Sequence, residues 1–84
     1  MTYTIILEKR AKKELNNIPE KDQIKIIRVL DTISREPFAG KKLGGELQGK
    51  YAVRAWPYRI IYEIRKRELY VSVVHIGHRQ GVYK

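Results

Sequence analysis

Arginine, lysine and tyrosine are the side chains of this sequence whose number and spacing suit chemistry on a phosphate. Lys50, Arg54 and Arg59 follow one another at short intervals, and Arg79 and Tyr83 lie near the carboxyl end. An arginine presents a planar fork of donors to phosphate oxygens and stabilises negative charge as it builds. In RNA, a 2′-hydroxyl can attack the adjacent phosphate once a base removes its proton. These residue types therefore suit phosphoryl transfer on RNA.

Tyr83 is the candidate for a base in that reaction. The pKa of a free tyrosine is near about 10, which is too high for a base at neutral pH. Neighbouring cations such as Arg79 favour the phenolate and would lower this pKa. The alternative role of Tyr83 is an apolar anchor for the tail.

Other catalytic arrangements are poorly represented in the sequence. It contains no cysteine, which excludes disulfides, thiolate nucleophiles and cysteine-ligated zinc. Its two histidines, His75 and His78, have no carboxylate close in sequence, so no metal site is expected. Glu63 and Glu68 are expected in a strand edge and a turn rather than as a catalytic acid pair.

Length and charge limit the class of protein. The chain has 84 residues, which predicts one domain spanning residues 1–84. Its formal net charge of +9 points to an anionic partner such as nucleic acid, the ribosome, an acidic protein or a membrane surface. No apolar run approaches the roughly 18–20 residues of a membrane span, and no secretory signal is expected. A cytoplasmic location is the expectation, since the lack of cysteine fits a reducing compartment.

Hydrophobic periodicity predicts the elements that must position these side chains. A β-branched and aromatic run indicates a strand at residues 2–7, and helical spacing of apolar residues indicates helices at 9–17 and 20–35. Residues 38–49 hold four of the six glycines and are expected to form a structural loop. Strands follow at 51–56, 58–64 and 69–76, and their short connections require antiparallel pairing. The predicted fold is α+β: an N-terminal strand and a helical hairpin packed on a four-stranded sheet that contains an antiparallel meander.

Alternation along the strands separates two faces of the predicted sheet. Lys50, Arg54 and Arg59 are expected on the face away from the helices. For each residue alone, a solvated position is the simpler interpretation, because lysine and arginine are mostly exposed. Clustered like charges are destabilising unless an anion resolves the repulsion. Together with Arg79, these residues therefore predict a surface that holds a phosphate.

Two segments carry a family resemblance. They read Tyr-Arg-Ile-Ile-Tyr at positions 58–62 and Gly-His-Arg-Gln-Gly-Val-Tyr at 77–83, preceded by the glycine-containing connection at 43–51. In this order and spacing the sequence resembles the RelE/ParE superfamily of bacterial and archaeal toxins, specifically its RelE branch. The resemblance covers nearly the whole chain and implies a RelE-like fold.

The resemblance also implies a function. It implies the toxin of a type II toxin–antitoxin system, a ribosome-dependent endoribonuclease that cuts mRNA in the A site by attack of the 2′-hydroxyl on the adjacent phosphate, without metal or cofactor. The implied partners are the ribosome, mRNA and a RelB-type antitoxin, with operator DNA bound only through the toxin–antitoxin complex and no membrane. A ParE-like gyrase inhibitor stays open, since one fold serves both activities. A non-catalytic rRNA-binding module also stays open, because Ala52 stands where many relatives carry a basic residue.

By position, the resemblance assigns roles to individual residues. Lys50 matches a residue of proton transfer, Arg59 and Arg79 match the arginines that stabilise the phosphate in the transition state, and Tyr83 matches a tyrosine that stacks on or orients the substrate. The expected RNA-contacting residues are Arg54, Trp56, His78, Lys9 and Lys13. For Trp56 the alternative is an aromatic residue that covers the sheet edge, and for the two helical lysines it is a solvated helix face.

Overall fold

The computed structural model describes residues 2–78, in which two helices pack on one five-stranded sheet. The predicted α+β class and the order of its elements are confirmed. The sheet has one strand more than predicted, because the glycine-rich connection contributes a strand of only two residues, which is too short to show alternation. The elements are β1 (Thr4–Leu7), α1 (Lys9–Asn16), α2 (Glu20–Arg35), β2 (Lys41–Lys42), β3 (Tyr51–Ala55), β4 (Tyr58–Arg65) and β5 (Tyr70–His78).

The strands lie in the order β1-β5-β4-β3-β2. The predicted meander is confirmed, since β3, β4 and β5 pair antiparallel in sequence order. β1 pairs parallel with β5, and β2 adds to the free edge of β3. The amino-terminal strand and the glycine-rich connection therefore lie at opposite edges of the sheet.

The longer helix, α2, covers one face of this sheet. Ile26, Leu30 and Ile33 recur at helical spacing and are buried. Glu20 and Asp22 lie in the first turn, where carboxylates interact favourably with the positive end of the helix dipole. The helix ends at Arg35 because Pro37 disfavours helical backbone in the residue before it.

The hydrophobic core lies between the helices and one face of the sheet. Ile60 and Tyr62 of β4 are wholly buried there beside Val71 and Val73 of β5 and Ile26 of α2. Fully burying an apolar side chain of this size contributes roughly 1.5–3 kcal/mol. Alternation then directs Arg59, Ile61 and Glu63 to the other face, as predicted. We call that other side of the sheet the open face.

Two tyrosines of β4 connect the sheet to the segments that cover it. The Tyr58 hydroxyl donates a hydrogen bond to Asp22 of α2 at 2.9 Å, and the Tyr62 hydroxyl donates one to the carbonyl of Pro37 at 2.8 Å. The hydrogen bond to the Asp22 carboxylate raises the pKa of Tyr58, and burial raises the pKa of Tyr62 to about 12. Both phenols are structural donors and poor bases at neutral pH.

Gly40 allows the chain to pass close to the core before β2. A Cβ atom at this position would collide with the Tyr62 hydroxyl and lie 2.9 Å from the carbonyl oxygen of Ala52. Any larger residue would force this segment away from β3. The absence of a side chain at Gly40 therefore lets Lys41 and Lys42 pair with the sheet.

Glu14 joins α1 to the edge of the sheet that β1 leaves uncovered. One carboxylate oxygen accepts a hydrogen bond from the backbone N–H of Ile76 at 2.9 Å, and the other lies 2.7 Å from Nδ1 of His75. His75 is itself a residue of β5. Within residues 2–78, neither helix is long and apolar enough to cross a membrane.

Candidate functional site

Two arginines face each other across neighbouring strands of the open face. Arg54 of β3 and Arg59 of β4 are direct partners in the antiparallel register. Directly opposed residues project from the same face with their Cβ atoms about 4.5–5.5 Å apart, and like charges in this relation repel each other. An anion held between the two guanidinium groups would offset this repulsion.

A small cavity of about 70 Å³ lies at this arginine pair. A space of this size suits one small anionic group. None of the described residues that line it is acidic. The lining consists of Lys41, Ala52, Val53, Arg54 and Arg59. We call Lys41, Ala52, Arg54 and Arg59 the arginine end of the open face.

Lys41 is the member of this group that the sequence did not predict. It lies on β2 and pairs directly with Ala52, so the two residues share the open face. Its neighbour Lys42 pairs with Tyr51 and projects to the other side. A two-residue strand within a glycine-rich connection has no periodic signal that could have revealed this placement.

The centre of the open face is apolar. Ala52 and Ile61 are direct partners on β3 and β4, and both are buried although they project away from the helices. Ile61 pairs in turn with His75 of β5. This row separates the arginine end from a second group of charged residues further along the same strands.

The two cations of that second group share one carboxylate. Nζ of Lys50 lies 3.0 Å from Oε2 of Glu63, and a guanidinium nitrogen of Arg65 donates a hydrogen bond of 2.6 Å to Oε1 of the same side chain. Both Lys50 and Glu63 are about three-quarters covered. We call these three residues the carboxylate end. The structure therefore places Lys50 on the predicted face but with Glu63, outside the cavity that contains the arginines.

The predicted RNA-contacting residues are dispersed. Trp56 lies at the β3–β4 turn, next to the arginine end, with 59% of its surface exposed. His78 pairs with Tyr58, and the two rings meet edge to face at 5.9 Å, which places His78 on the helix side of the sheet rather than with the arginines. Lys9 and Lys13 are exposed on α1. Of this set, only Arg54 belongs to the arginine end, and Trp56 lies next to it.

Arg79 and Tyr83 lie outside the described residues. The last of those is His78, at the end of β5 that pairs with Tyr58. Arg59 pairs with Gly77 in the adjacent position. The last described residues of β5 therefore lie at the end of the sheet that holds Arg54 and Arg59.

The larger concavity of the described chain lies elsewhere. A groove of about 530 Å³ is formed beside Tyr51 and Ile64 on the helix side of the sheet, with Phe38 and Leu43 on its apolar walls and Lys42 at its rim. It contains none of the predicted catalytic residues. Size alone would select this groove, whereas the opposed arginines line the smaller cavity.

Comparison with known proteins gives consistent similarities. Residues 5–83 match the family described as ParE toxin of type II toxin–antitoxin system, parDE. The sequence is 29% identical over 86 residues to Toxin RelG of Mycobacterium tuberculosis, an alignment that covers 100% of this chain and 99% of the relative. The structure resembles the toxin–antitoxin complex RelBE2 of the same organism, with a TM-score of 0.87, 28% identity and coverage of 94% of this chain and 100% of that chain. The archaeal RelE–RelB complex of Pyrococcus horikoshii shares the fold, with a TM-score of 0.80, 23% identity and coverage of 98% and 100%.

Proposed function

This chain belongs to the ParE toxin family of type II toxin–antitoxin systems and is a toxin of the RelE type, and from that premise we propose that it is a ribosome-dependent endoribonuclease. Its substrate would be mRNA in the ribosomal A site. The observation that carries the proposal is the direct opposition of Arg54 and Arg59 over a cavity whose described lining contains no carboxylate. A pair of forked donors at one small cavity suits a phosphodiester, which has two non-bridging oxygens.

The proposed reaction is an internal transfer at one phosphate. The 2′-hydroxyl attacks the phosphorus of its own 3′-phosphate, a base takes the hydroxyl proton, and the bond to the 5′-oxygen of the next nucleotide breaks. An acid supplies a proton to that oxygen. The products are a 2′,3′-cyclic phosphate and a 5′-hydroxyl, and no oxidant, reductant or hydrolytic water is needed.

The arginines would stabilise the charge that develops in this transition state. As the 2′-oxygen adds, negative charge grows on the non-bridging oxygens, and donors already in place there lower the barrier. We assign this role to Arg59 and to Arg79 of the carboxyl-terminal segment, with Arg54 as an additional contact to the RNA. Tyr83 of the same segment would stack on or orient the substrate, and exposed Trp56 offers a second stacking surface for a base.

Lys50 is the proposed residue of proton transfer. Its ion pair with Glu63 restrains the ammonium group on the open face. From Arg54 to Lys50, β3 extends roughly 13 Å at about 3.3 Å per residue. For Lys50 to take part in proton transfer, its flexible side chain has to span part of this separation while the arginines hold the phosphate at the other end. His78, Lys9 and Lys13, which lie apart from the arginine end, would contact ribosomal RNA.

The partners follow from the same premise. The solved complexes that resemble this chain join a toxin to an antitoxin named RelB, and we propose a RelB-type antitoxin for this chain. With a formal net charge of +9, the chain favours an antitoxin that is acidic where it covers the open face. We further propose binding to operator DNA only through that complex, and action in the cytoplasm, where ribosomes translate mRNA.

Primer extension on programmed ribosomes tests the proposed function. Purified protein is added to ribosomes that carry a defined mRNA, and the new ends are mapped. Cleavage within the A-site codon supports the nuclease. If the mRNA stays intact while gyrase–DNA complexes accumulate, the protein is instead a gyrase inhibitor, as the ParE family name suggests. If the protein binds ribosomes without either effect, it is a non-catalytic binding module.

The variant Arg79→Ala sharpens this test because it removes one of the two proposed transition-state arginines. We expect it to lose cleavage while keeping the circular dichroism spectrum of the parent chain. A variant that cuts at the parent's rate would remove Arg79 from the mechanism. An altered spectrum would contradict the assignment of a purely functional role.

A further inference from the structure

We propose that Lys41 is a phosphate-binding residue of the arginine end and that it supplies the positive charge that position 52 lacks in this chain. The inference rests on the proposed function, because it takes the ligand of the arginine end to be a phosphodiester of RNA. It concerns a residue outside the two segments that carry the family resemblance, on a strand that the sequence did not predict.

The register of the sheet carries the first part of this inference. Lys41 and Ala52 are direct partners on β2 and β3, and Ala52 is paired with Ile61 on its other side. The three residues form one row across the open face. Lys41 is exposed, whereas Ala52 and Ile61 are buried. The flexible lysine stem at the edge of the row therefore lies beside an alanine that leaves room above it.

The cavity carries the second part. Lys41 lines the same cavity of about 70 Å³ as Arg54 and Arg59, so three cationic residues border one small space. None of the lining residues in the described chain carries a negative charge. A compact ammonium group with three donors complements the planar arginine forks in binding the oxygens of one phosphate.

Electrostatic repulsion explains why one lysine occupies this row rather than two. A basic side chain at position 52 would lie directly opposite Lys41 and two residues from Arg54 on the same face. Like charges directly opposite each other in a sheet are destabilising. The basic group therefore resides on β2 in this chain, and a small residue occupies its partner position on β3.

Lys42 provides a matched control within the same strand. It is adjacent in sequence, carries the same charge and is exposed like Lys41. However, it pairs with Tyr51 and lines the larger groove on the helix side of the sheet. Both lysines should contribute almost equally to the long-range attraction of RNA, whereas only Lys41 should contact a phosphate at the arginine end directly.

The experiment measures binding of a short single-stranded RNA whose 2′-hydroxyls are methylated, so that it binds without being cut. Fluorescence anisotropy of this probe gives the dissociation constant of the full chain and of its variants. We expect Lys41→Ala to weaken binding about tenfold, and Lys42→Ala to weaken it less than about twofold, as loss of one distant surface charge does. Only Lys41→Ala should also reduce the salt dependence of log K by about 0.7, the value for one contact on a single strand.

A second substitution tests the exchange of positions directly. In the background of Lys41→Ala, the change Ala52→Lys returns the missing charge from the other side of the row and should restore affinity to within about threefold of the parent chain. The inference is overturned by any one of three results: equal loss in the two lysine variants, parental affinity in Lys41→Ala, or no binding of the probe by the parent.

The test of Lys41 can succeed or fail independently of the test of the proposed nuclease. If the parent and variants follow the expected binding pattern while mRNA on ribosomes stays intact, the assignment of Lys41 stands and the nuclease proposal fails. If ribosome-bound mRNA is cut equally well by the parent and by Lys41→Ala, and the probe binds both equally, the nuclease stands and the assignment of Lys41 fails.

Discussion

The arginine end and the carboxylate end lie on the same face of the same two strands and contain similar side chains, yet their charges are balanced differently. At the arginine end, Arg54 and Arg59 oppose each other in a cavity that Lys41 also lines. At the carboxylate end, Glu63 contacts both Lys50 and Arg65. The apolar pair Ala52 and Ile61 separates the two groups.

The difference separates two uses of positive charge. A cation that contacts a carboxylate has its charge partly balanced within the protein, so it is restrained in place and attracts an external anion less strongly. Cations that line one cavity repel one another, and a bound anion offsets this repulsion. On this basis we propose the arginine end as the phosphate site and Lys50 of the carboxylate end as the residue of proton transfer.

The largest expected effect comes from removing one of the opposed arginines. We predict that Arg59→Ala lowers the rate of mRNA cleavage on programmed ribosomes by about 100- to 1000-fold, as loss of a preorganised transition-state donor does. Arg65→Ala removes the same type of side chain from the carboxylate end and should stay within about threefold of the parent, since exposed ion pairs contribute little. Comparable losses in both variants would erase the distinction between the two ends.

A smaller but sizeable effect on stability is expected at Gly40. A methyl group there collides with the Tyr62 hydroxyl, so we predict that Gly40→Ala lowers the free energy of unfolding by up to about 3 kcal/mol. Gly44 has no atom within 4 Å of an added Cβ, and Gly44→Ala should stay within about 0.5 kcal/mol of the parent. Urea denaturation measures both. Equal stability of the two variants would show that β2 does not depend on the close passage at Gly40.

Alkaline pH should lower the free energy of unfolding through the titration of Tyr62. Burial raises the pKa of Tyr62 to about 12, compared with about 10 in an unfolded chain. Between these values the folded state keeps a proton that the unfolded state has lost, so the free energy of unfolding falls as pH rises. The contribution is fully present below about pH 10, and about 2 kcal/mol of it should be lost by pH 12.

Tyr62→Phe is the control for this pH dependence. Urea denaturation between pH 9 and pH 12 should show a steeper loss of stability in the parent than in the variant, because the variant lacks the phenol that titrates. Parallel pH profiles would contradict the raised pKa. The other titratable groups are the same in both proteins, so the difference between the two profiles isolates the contribution of Tyr62.

The smallest effect is expected at the carboxylate end. We predict that a double-mutant cycle of Lys50→Ala and Glu63→Ala gives a coupling free energy of roughly 0.5–1 kcal/mol in unfolding experiments. This coupling should shrink as salt is added, because the pair is partly exposed. A coupling near zero at low salt would show that Lys50 is not held by Glu63, and the contrast between the two ends would then rest on the arginines alone.

Much of the fold followed from short-range patterns. The bounds of α2 and the meander of β3, β4 and β5 were predicted because apolar spacing, proline and short turns act within a few residues. The same alternation separated Arg59 from its neighbours in the motif Tyr-Arg-Ile-Ile-Tyr. Tyr58 and Tyr62 form hydrogen bonds on the helix side, whereas Arg59 projects to the open face.

Pairing between distant segments accounts for what was missed. The contact of Glu63 with Lys50 depends on the register of β3 against β4, and the placement of Lys41 depends on a β2–β3 pairing that follows the close passage at Gly40. The position of His78 beside Tyr58 on the helix side depends on the register of β5 against β4. None of these relations leaves a periodic mark in the sequence.

Local sequence thus decided which residues form strands and helices and which face of each strand is polar, because backbone geometry repeats every two residues in a strand and about every 3.6 in a helix. It also supplied the basic side chains. Only the tertiary structure decided which of them share a cavity and which are neutralised, because charges interact through distances that the register of the sheet sets. Strand pairing therefore places Lys50 and Arg65 beside Glu63, and it places Lys41, Arg54 and Arg59 around one cavity.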